Sequence, residues 1–471
     1  MPIRRLVAPA VALLAALALP AVAQDAPAAF AGGRVIPVDA PEIDEGYVLV
    51  HEGRVISVGE GDPPATHRGE DVVIIDTTDK VVMPGLVDTH SHIGGIGAAD
   101  ASGPIQPGVR VYDSINVRSS GFRRALAGGL TSLNIMPGSG HLSSGQTVYV
   151  KLRFQAEADG KNVRTIDDIA YQFDNGSPMG GLKMANGTNS QRDSEGTFPG
   201  TRGRSAFLVR EQFIKAQEHA RKINNAIDPD TGEVDQSKMP ARDLHLETLV
   251  EVMAGKRIVH HHTHRHDDIM TVLRLADEFG FRVVLHHVSD GWLVADEIAD
   301  SGAMVSAILI DSPGGKHEAI GLRFDTPAIL EAAGVPTVVH TDDWITDSRL
   351  FLRMAAFAIR GGMSREGALR SVTLDGARMM DLEDRVGSLT PGKDADLIVL
   401  SGDPFSVYTV VEQTYVEGEL AFDRNDPDDL LYALGGYGAA HDTEPYFCCY
   451  HQLMTNTRTG LGLRGIQTGG N

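Results

Sequence analysis

Between residues 84 and 388, short apolar runs alternate with amphipathic stretches, and this alternation constrains the fold more than any other feature of the chain. Eight runs read as strands: VVMPGLVDTH from Val81, LTSLNIM from Leu130, QTVYVKL from Gln146, GLKMA from Gly181, RIVHHH from Arg257, FRVVLHH from Phe281, AMVSAILI from Ala303 and VPTVVHT from Val335. Helical stretches lie between most of them. DDIMTVLRLADEFG, from Asp267, has an acidic start, an apolar i, i+3, i+4 stripe and a terminal Gly280. GWLVADEIADSG and DSRLFLRMAAFAIRGG have the same character. Eight strands with interleaved helices predict a parallel (β/α)8 TIM barrel over 84–388, an α/β fold. Two glycine-rich stretches, roughly 93–114 and 172–203, then read as loops on its catalytic face.

The flanks differ. GRVIPVD, GYVLVHEGRVISVGEG and DVVIIDTTDKVVMPGLVD precede the alternating region, and GKDADLIVLSGDP and VVEQTYVEGELAF follow it. These are β-branched runs broken by Gly, Asp and Pro, and each set alone is too short for a good core. They predict one small β-sandwich domain built from both chain ends, residues 33–83 plus 389–423. Residues 424–471 form a C-terminal extension with no clear periodicity.

The first residues, MPIRRLVAPAVALLAALALPAVAQD, combine Arg4 and Arg5, an apolar run and the small-x-small pattern Ala21-Val22-Ala23. Residues 1–23 read as a signal peptide, which implies a periplasmic or secreted protein with no membrane contact after cleavage. The net charge of −21 disfavours nucleic acid and anionic membranes as partners. The two cysteines, Cys448 and Cys449, are adjacent and cannot staple distant segments. The sequence is compatible with a homo-oligomer.

Four of the apolar runs end in metal-binding residue types. PGLVDTHSH places His90 and His92 two apart, on the same side of a strand. RIVHHH ends in histidines, FRVVLHH in His286 and His287, and TVVHTDDW in His340, Asp342 and Asp343. In a barrel all four ends open on one face, giving a nitrogen and oxygen site suited to zinc or a similar divalent ion. His260, His262, His264 and His266 share one parity, so spacing alone does not choose among them.

With these motifs the chain resembles the amidohydrolase superfamily of metal-dependent hydrolases. The carriers are VVMPGLVDTHSH, the two histidine-bearing strand ends, HTDDW and VGSLTPGKDADLIVL, across about residues 33–423. The likeness is to the imidazolonepropionase-like branch, which includes Xaa-Pro dipeptidases and enzymes cleaving N-acyl amino acids. It implies that His90, His92 and Asp342 hold one ion, and that His262 and His287 hold a second. It also implies a carboxylated lysine bridging them, either Lys183 in GLKMANG or its rival Lys151. His264 then faces the substrate.

A bound ion lowers the pKa of water from ~15.7 towards ~7. Asp342 is placed to act as general base and then acid, and Asp343 faces the other way. Arg202, in a Gly/Pro loop with Arg204, is a candidate grip for a substrate carboxylate. Lys316 and His317 are further candidate substrate contacts. The expected reaction is hydrolysis of an amide bond in a small substrate such as a dipeptide, N-acyl amino acid or cyclic amide. A lactonase or esterase, a deaminase and a non-catalytic scaffold are the alternatives. The deaminase is disfavoured because no Glu follows the fifth-strand histidines.

Overall fold

The computed structural model describes residues 26–435 except 98, 101, 155–162, 164, 192–196, 310–315 and 344. The signal-peptide reading, Cys448 and Cys449, and the extension beyond 435 lie outside the described residues. No helix among those described is long and apolar enough to cross a membrane.

Strands from both ends of the chain share one sheet. Ala28–Val35 pairs antiparallel with Ile43–His51 and parallel with Val73–Asp76 and Val81–Pro84. Val81–Pro84 pairs antiparallel with Leu397–Leu400, with Val82 opposite Val399, and the sheet runs on through Val411–Val416 to Glu419–Asp423. Alternate residues turn Phe30, Val48, Val50, Val82, Leu397 and Val399 into one apolar cluster, where the Phe30 and Tyr415 rings meet edge to face at 4.7 Å.

The middle of the chain is mixed α/β. Leu182–Ala185, Val259–Thr263, Val283–His287, Met304–Ala307 and Thr337–Val339 run parallel in that order. Leu86–Ser91 runs parallel to Leu130–Ile135. Backbone bonds from His92 N–H to the Asp343 carbonyl (2.8 Å) and from Asp342 N–H to the His90 carbonyl (3.0 Å) tie the last strand's exit to the first strand's end.

The helix His266–Phe279 buries Ile269, Val272, Leu273, Leu275 and Phe279 against this sheet and stops at Gly280, whose φ of 70° is the left-handed C-cap conformation. Helices Ala295–Ser301 and Phe351–Arg360 likewise fall in the stretches read as helical.

The third expected strand departs from the all-parallel reading. QTVYVKL divides at Thr147 between Ser143–Gln146, antiparallel to Leu182–Ala185, and Val148–Lys151, antiparallel to Leu130–Ile135. Only a short Gly-rich link joins Ile135 to this region, and a parallel return needs a crossover of a dozen residues or more. Arg202 and Arg204 also depart from their loop assignment. They open the helix Arg202–Asn225, capped by the Thr201 hydroxyl, which accepts the Arg204 N–H at 3.2 Å.

Candidate metal centre

Three donor atoms from two separate strand ends meet at nearly equal spacing. His90 Nε2 lies 3.3 Å from His92 Nε2 and 3.4 Å from Asp342 Oδ1, and His92 Nε2 lies 3.0 Å from Asp342 Oδ1. Ligand atoms around a tetrahedral ion with bonds of about 2.0–2.1 Å sit roughly 3.3–3.4 Å apart. Two imidazole nitrogens and a carboxylate oxygen at this spacing fit a divalent ion of the zinc type.

The turn that presents Asp342 is unusual backbone. Asp342 has φ 51°, and on the neighbouring wall His287 and Val288 have φ 74° and 42°. Left-handed conformations in residues other than glycine cost free energy and gather at functional sites. Asp88 holds the two turns together. Its carboxylate accepts the Thr341 hydroxyl and the backbone N–H groups of His90 (3.1 Å) and Thr341 (3.3 Å).

Hydrogen bonds set the protonation of both ring ligands. The Met136 carbonyl, 2.6 Å from His92 Nδ1, can only accept, so Nδ1 carries a proton and Nε2 is the nitrogen that gives up its own proton when an ion binds. A buried chain runs back from His90: His90 Nδ1 to His286 Nδ1 (3.0 Å), His286 Nε2 to His260 Nδ1 (3.0 Å), and His260 Nε2 to the Tyr149 hydroxyl (3.0 Å). Lys183 Nζ stands 3.1 Å from His90 Nε2 and donates to it, which selects the polarity with the His90 proton on Nδ1.

Burial, then the nearby Lys183 and histidine charges, holds His90 well below the usual histidine range, in the neutral form that binds metal. Burial alone raises the Asp342 carboxyl. The His92 hydrogen bond and the charges of His92, His340 and Lys183 outweigh it and keep Asp342 below its ordinary value.

His287 enters beside this centre. Its Nδ1 is 3.2 Å from His340 Nε2 and 4.0 Å from Asp342 Oδ2, and His90, His287 and His340 offer a second set of close nitrogens. Its ring lies 4.4 Å from that of His262, centroid to centroid. His262 and His264 are both buried, and a third set of close donors joins them to Glu318.

Lys183 is fully buried at the centre. Lys151 is not. Reversal of its strand carries it to Asp396 (3.0 Å), Glu417 (3.4 Å) and Asp394, away from the histidines. Asp343 faces Arg124 at 2.9 Å. Arg202 is engaged by the Asp268 carboxylate at 2.8 and 3.0 Å, so its guanidinium already has an anionic partner. His317 is exposed, and Glu318 beside it turns inward. Glu318, Asp88 and Tyr149 are the site residues that sequence reasoning missed. The signal for Asp88 was present, since it shares strand parity with His90 and His92.

A family model described as the amidohydrolase family matches residues 251–422. The crystal structure of an amidohydrolase from Thermotoga maritima MSB8 is 32% identical, with a TM-score of 0.76, covering 84% of this chain and 100% of that one. The amidohydrolase tasK of Hapsidospora irregularis is 27% identical over 401 residues, which is 80% of this chain and 40% of that protein, so the chain spans less than half of that relative. An imidazolonepropionase of Streptococcus gordonii is 22% identical over 440 residues, 82% of this chain and 92% of its own length. Given its match to the whole of the Thermotoga protein, this chain belongs to the amidohydrolase family, hydrolases that act on carbon–nitrogen bonds.

Proposed function

We propose that the protein is a metal-dependent hydrolase that cleaves the amide bond of a small substrate such as a dipeptide, an N-acyl amino acid or a cyclic amide. The triangle of His90 Nε2, His92 Nε2 and Asp342 Oδ1, with edges of 3.3, 3.4 and 3.0 Å, carries this reading. We read the parallel strands as parts of a (β/α)8 barrel, residues 84–388, and the sheet of both chain ends as a β-sandwich domain beside it. The leader at 1–23 supports export to the periplasm or beyond.

His90, His92 and Asp342 would hold a divalent ion, with zinc the best fit to the donor set. When bound, such an ion supplies Lewis acidity that polarises a carbonyl and acidifies water. The protein's own groups do the rest. Asp342, ionised at neutral pH, accepts the proton of the attacking water and hands it to the leaving amine. Its lowered pKa favours that second transfer. The Tyr149–His260–His286 chain keeps the His90 lone pair aimed at the centre. Lys183 is drawn by burial to a pKa of about 7, so near neutrality part of it is a free amine that can take up carbon dioxide as a carbamate and become an oxygen donor.

The test is a screen of dipeptides, N-acyl amino acids and cyclic amides against zinc-loaded protein, with lactones alongside and Asp342→Asn as control. Turnover of an amide that disappears in Asp342→Asn and on chelation is the expected result. Turnover of lactones alone, or amide activity that survives either treatment, would overturn the assignment.

A further inference from the structure

We propose that the C-terminal helix Pro427–Leu434 holds the metal-binding turn in place through a relay of charged pairs, Arg349 to Asp347 to Arg124 to Asp343, which makes Arg349 a positioning residue for His92 and Asp342. The proposal rests on the His90, His92 and Asp342 reading of the centre, but no side chain of the relay is itself one of those ligands. It gives a task to the first part of the C-terminal extension.

The relay starts at the end of that helix. The last carbonyls of a helix have no partner within it. Here Arg349 Nη1 donates to those of Tyr432 at 3.3 Å and Ala433 at 3.4 Å, and a cation at this end also suits the helix dipole. Gly435 lets the guanidinium come so close. A Cβ on it would stand 2.7 Å from Arg349 Nη1, and its φ is 73°. The other edge of Arg349 grips Asp347 as a fork, Nε to Oδ1 at 2.9 Å and Nη2 to Oδ2 at 2.7 Å. Asp347 Oδ2 lies 3.8 Å from Arg124 Nε, and Arg124 Nη2 meets the two Asp343 oxygens at 2.9 and 3.2 Å.

Asp343 is where the relay meets the centre. Its carboxylate is buried, and its Oδ2 also accepts the Ser348 N–H (3.1 Å) and hydroxyl. Its carbonyl accepts the His92 N–H at 2.8 Å, and its N–H donates to the Thr341 hydroxyl at 3.0 Å. It directly follows Asp342, whose φ of 51° is a strained conformation. One residue therefore ties down the backbone of two proposed ligands. The planar fork of an arginine fixes the angle at which a carboxylate meets it, so each link constrains the next.

A second tie runs beside the first. Arg123, next to Arg124 in the helix Ser120–Ala127, lies 3.7 Å from Asp429, whose Oδ2 also accepts the Asp423 N–H at 2.9 Å. Neighbouring arginines of one helix thus reach the metal-binding turn and the C-terminal helix.

Arg349→Ala and Asp429→Asn in the full-length protein provide the test. Each cuts one tie and leaves the Arg124–Asp343 pair whole. Hydrogen exchange by mass spectrometry on zinc-free protein follows the peptides that carry His92 and Asp342, with the strand Val259–Thr263 as reference. Apparent zinc affinity is read on the same samples by competition with a chromophoric chelator. We expect faster exchange at His92 and Asp342 in both variants, an unchanged reference strand, and zinc affinity weakened about 10-fold, as when contacts behind a metal ligand are lost. Arg210→Ala, which removes the surface pair with Glu278, should change neither readout. Exchange at His92 and Asp342 equal to wild type in both variants overturns the proposal and leaves the hydrolase reading standing. Acceleration as large in Val259–Thr263 also overturns it, because Arg349 then supports the fold as a whole. Local acceleration in a protein whose wild type binds no zinc keeps the relay and sinks the metal centre.

Discussion

Lys183 Nζ lies 3.1 Å from His90 Nε2 and 3.0 Å from Met136 Sδ, with no carboxylate in hydrogen-bond reach among the described residues. A lysine so placed resists protonation. Burial is the main cause; the Asp342 charge offsets part of it and Lys316 adds a smaller repulsion, leaving a pKa of about 7. Protein incubated with zinc and 13C-bicarbonate should therefore show a carbamate carbon resonance that Lys183→Ala lacks. That variant should lose about 100-fold or more in kcat/KM, or ~2.7 kcal/mol of transition-state stabilisation. An identical carbamate signal in Lys183→Ala would remove this lysine from the centre.

Asp342 has two tasks, binding and proton transfer, and one substitution can separate them. Asp342→Asn keeps an oxygen where Oδ1 now sits 3.0 Å from His92 Nε2 but cannot take up a proton. With saturating zinc, kcat should fall by about 10²–10⁴-fold, the usual worth of a positioned acid–base group, while metal content measured on the same sample stays within a small factor of wild type. Full activity at normal metal content would assign proton transfer to another residue.

Tyr149 touches no proposed ligand, yet its hydroxyl ends the imidazole chain that fixes the His90 proton. Tyr149→Phe leaves His260 Nε2 without its partner and loosens the tautomer two rings away. Apparent zinc affinity, read by competition with a chromophoric chelator, should weaken about 10–100-fold, the range seen when contacts behind a metal ligand are lost. His260→Ala should behave alike, because it cuts the same chain. Unchanged affinity in both variants would show that the chain is only packing.

Much of this centre was readable from residue order because strands alternate and because histidines recur at strand exits. Period 2 and a shared rim were enough to bring these strand ends together, whereas the choice of His262 among the histidines of its parity came from the family resemblance. The run at Gln146 misled because nothing within it records that the chain must turn back. Its direction follows from the short link before it and from its pairing with Leu130–Ile135 and Leu182–Ala185. Glu318 was hidden for a different reason. A three-residue turn has no periodic face, and the inward aim of its carboxylate depends on Gly187 and Thr188, 130 residues distant in the case of Thr188. Arg202 was misplaced because its helix announces itself through the Thr201 cap rather than through an apolar stripe.

The ion cluster around Lys151 predicts how the protein responds to acid. Lys151 is buried beneath Asp394, Asp396 and Glu417, joining a strand of the central region to segments from the chain's C-terminal end. Burial favours the neutral form of Glu417, but its bonds with Arg153 and the charges of Lys151 and Arg153 win and hold its pKa at about 2, against an ordinary 4.5. A carboxylate with a lowered folded-state pKa adds stability that is fully present above the unfolded value and disappears as pH falls towards the folded one. Glu417→Gln should therefore melt below wild type by a constant gap above pH ~5, and the gap should close between pH ~4.5 and ~2. Asp394→Ala removes a buried partner outright and should destabilise by about 3–5 kcal/mol, with zinc content unchanged because the cluster lies away from the histidines. Thermal melts across this pH range decide the matter. A Glu417→Gln gap that persists undiminished at pH ~2 would mean that the glutamate's shape, and not its charge, is what the cluster uses.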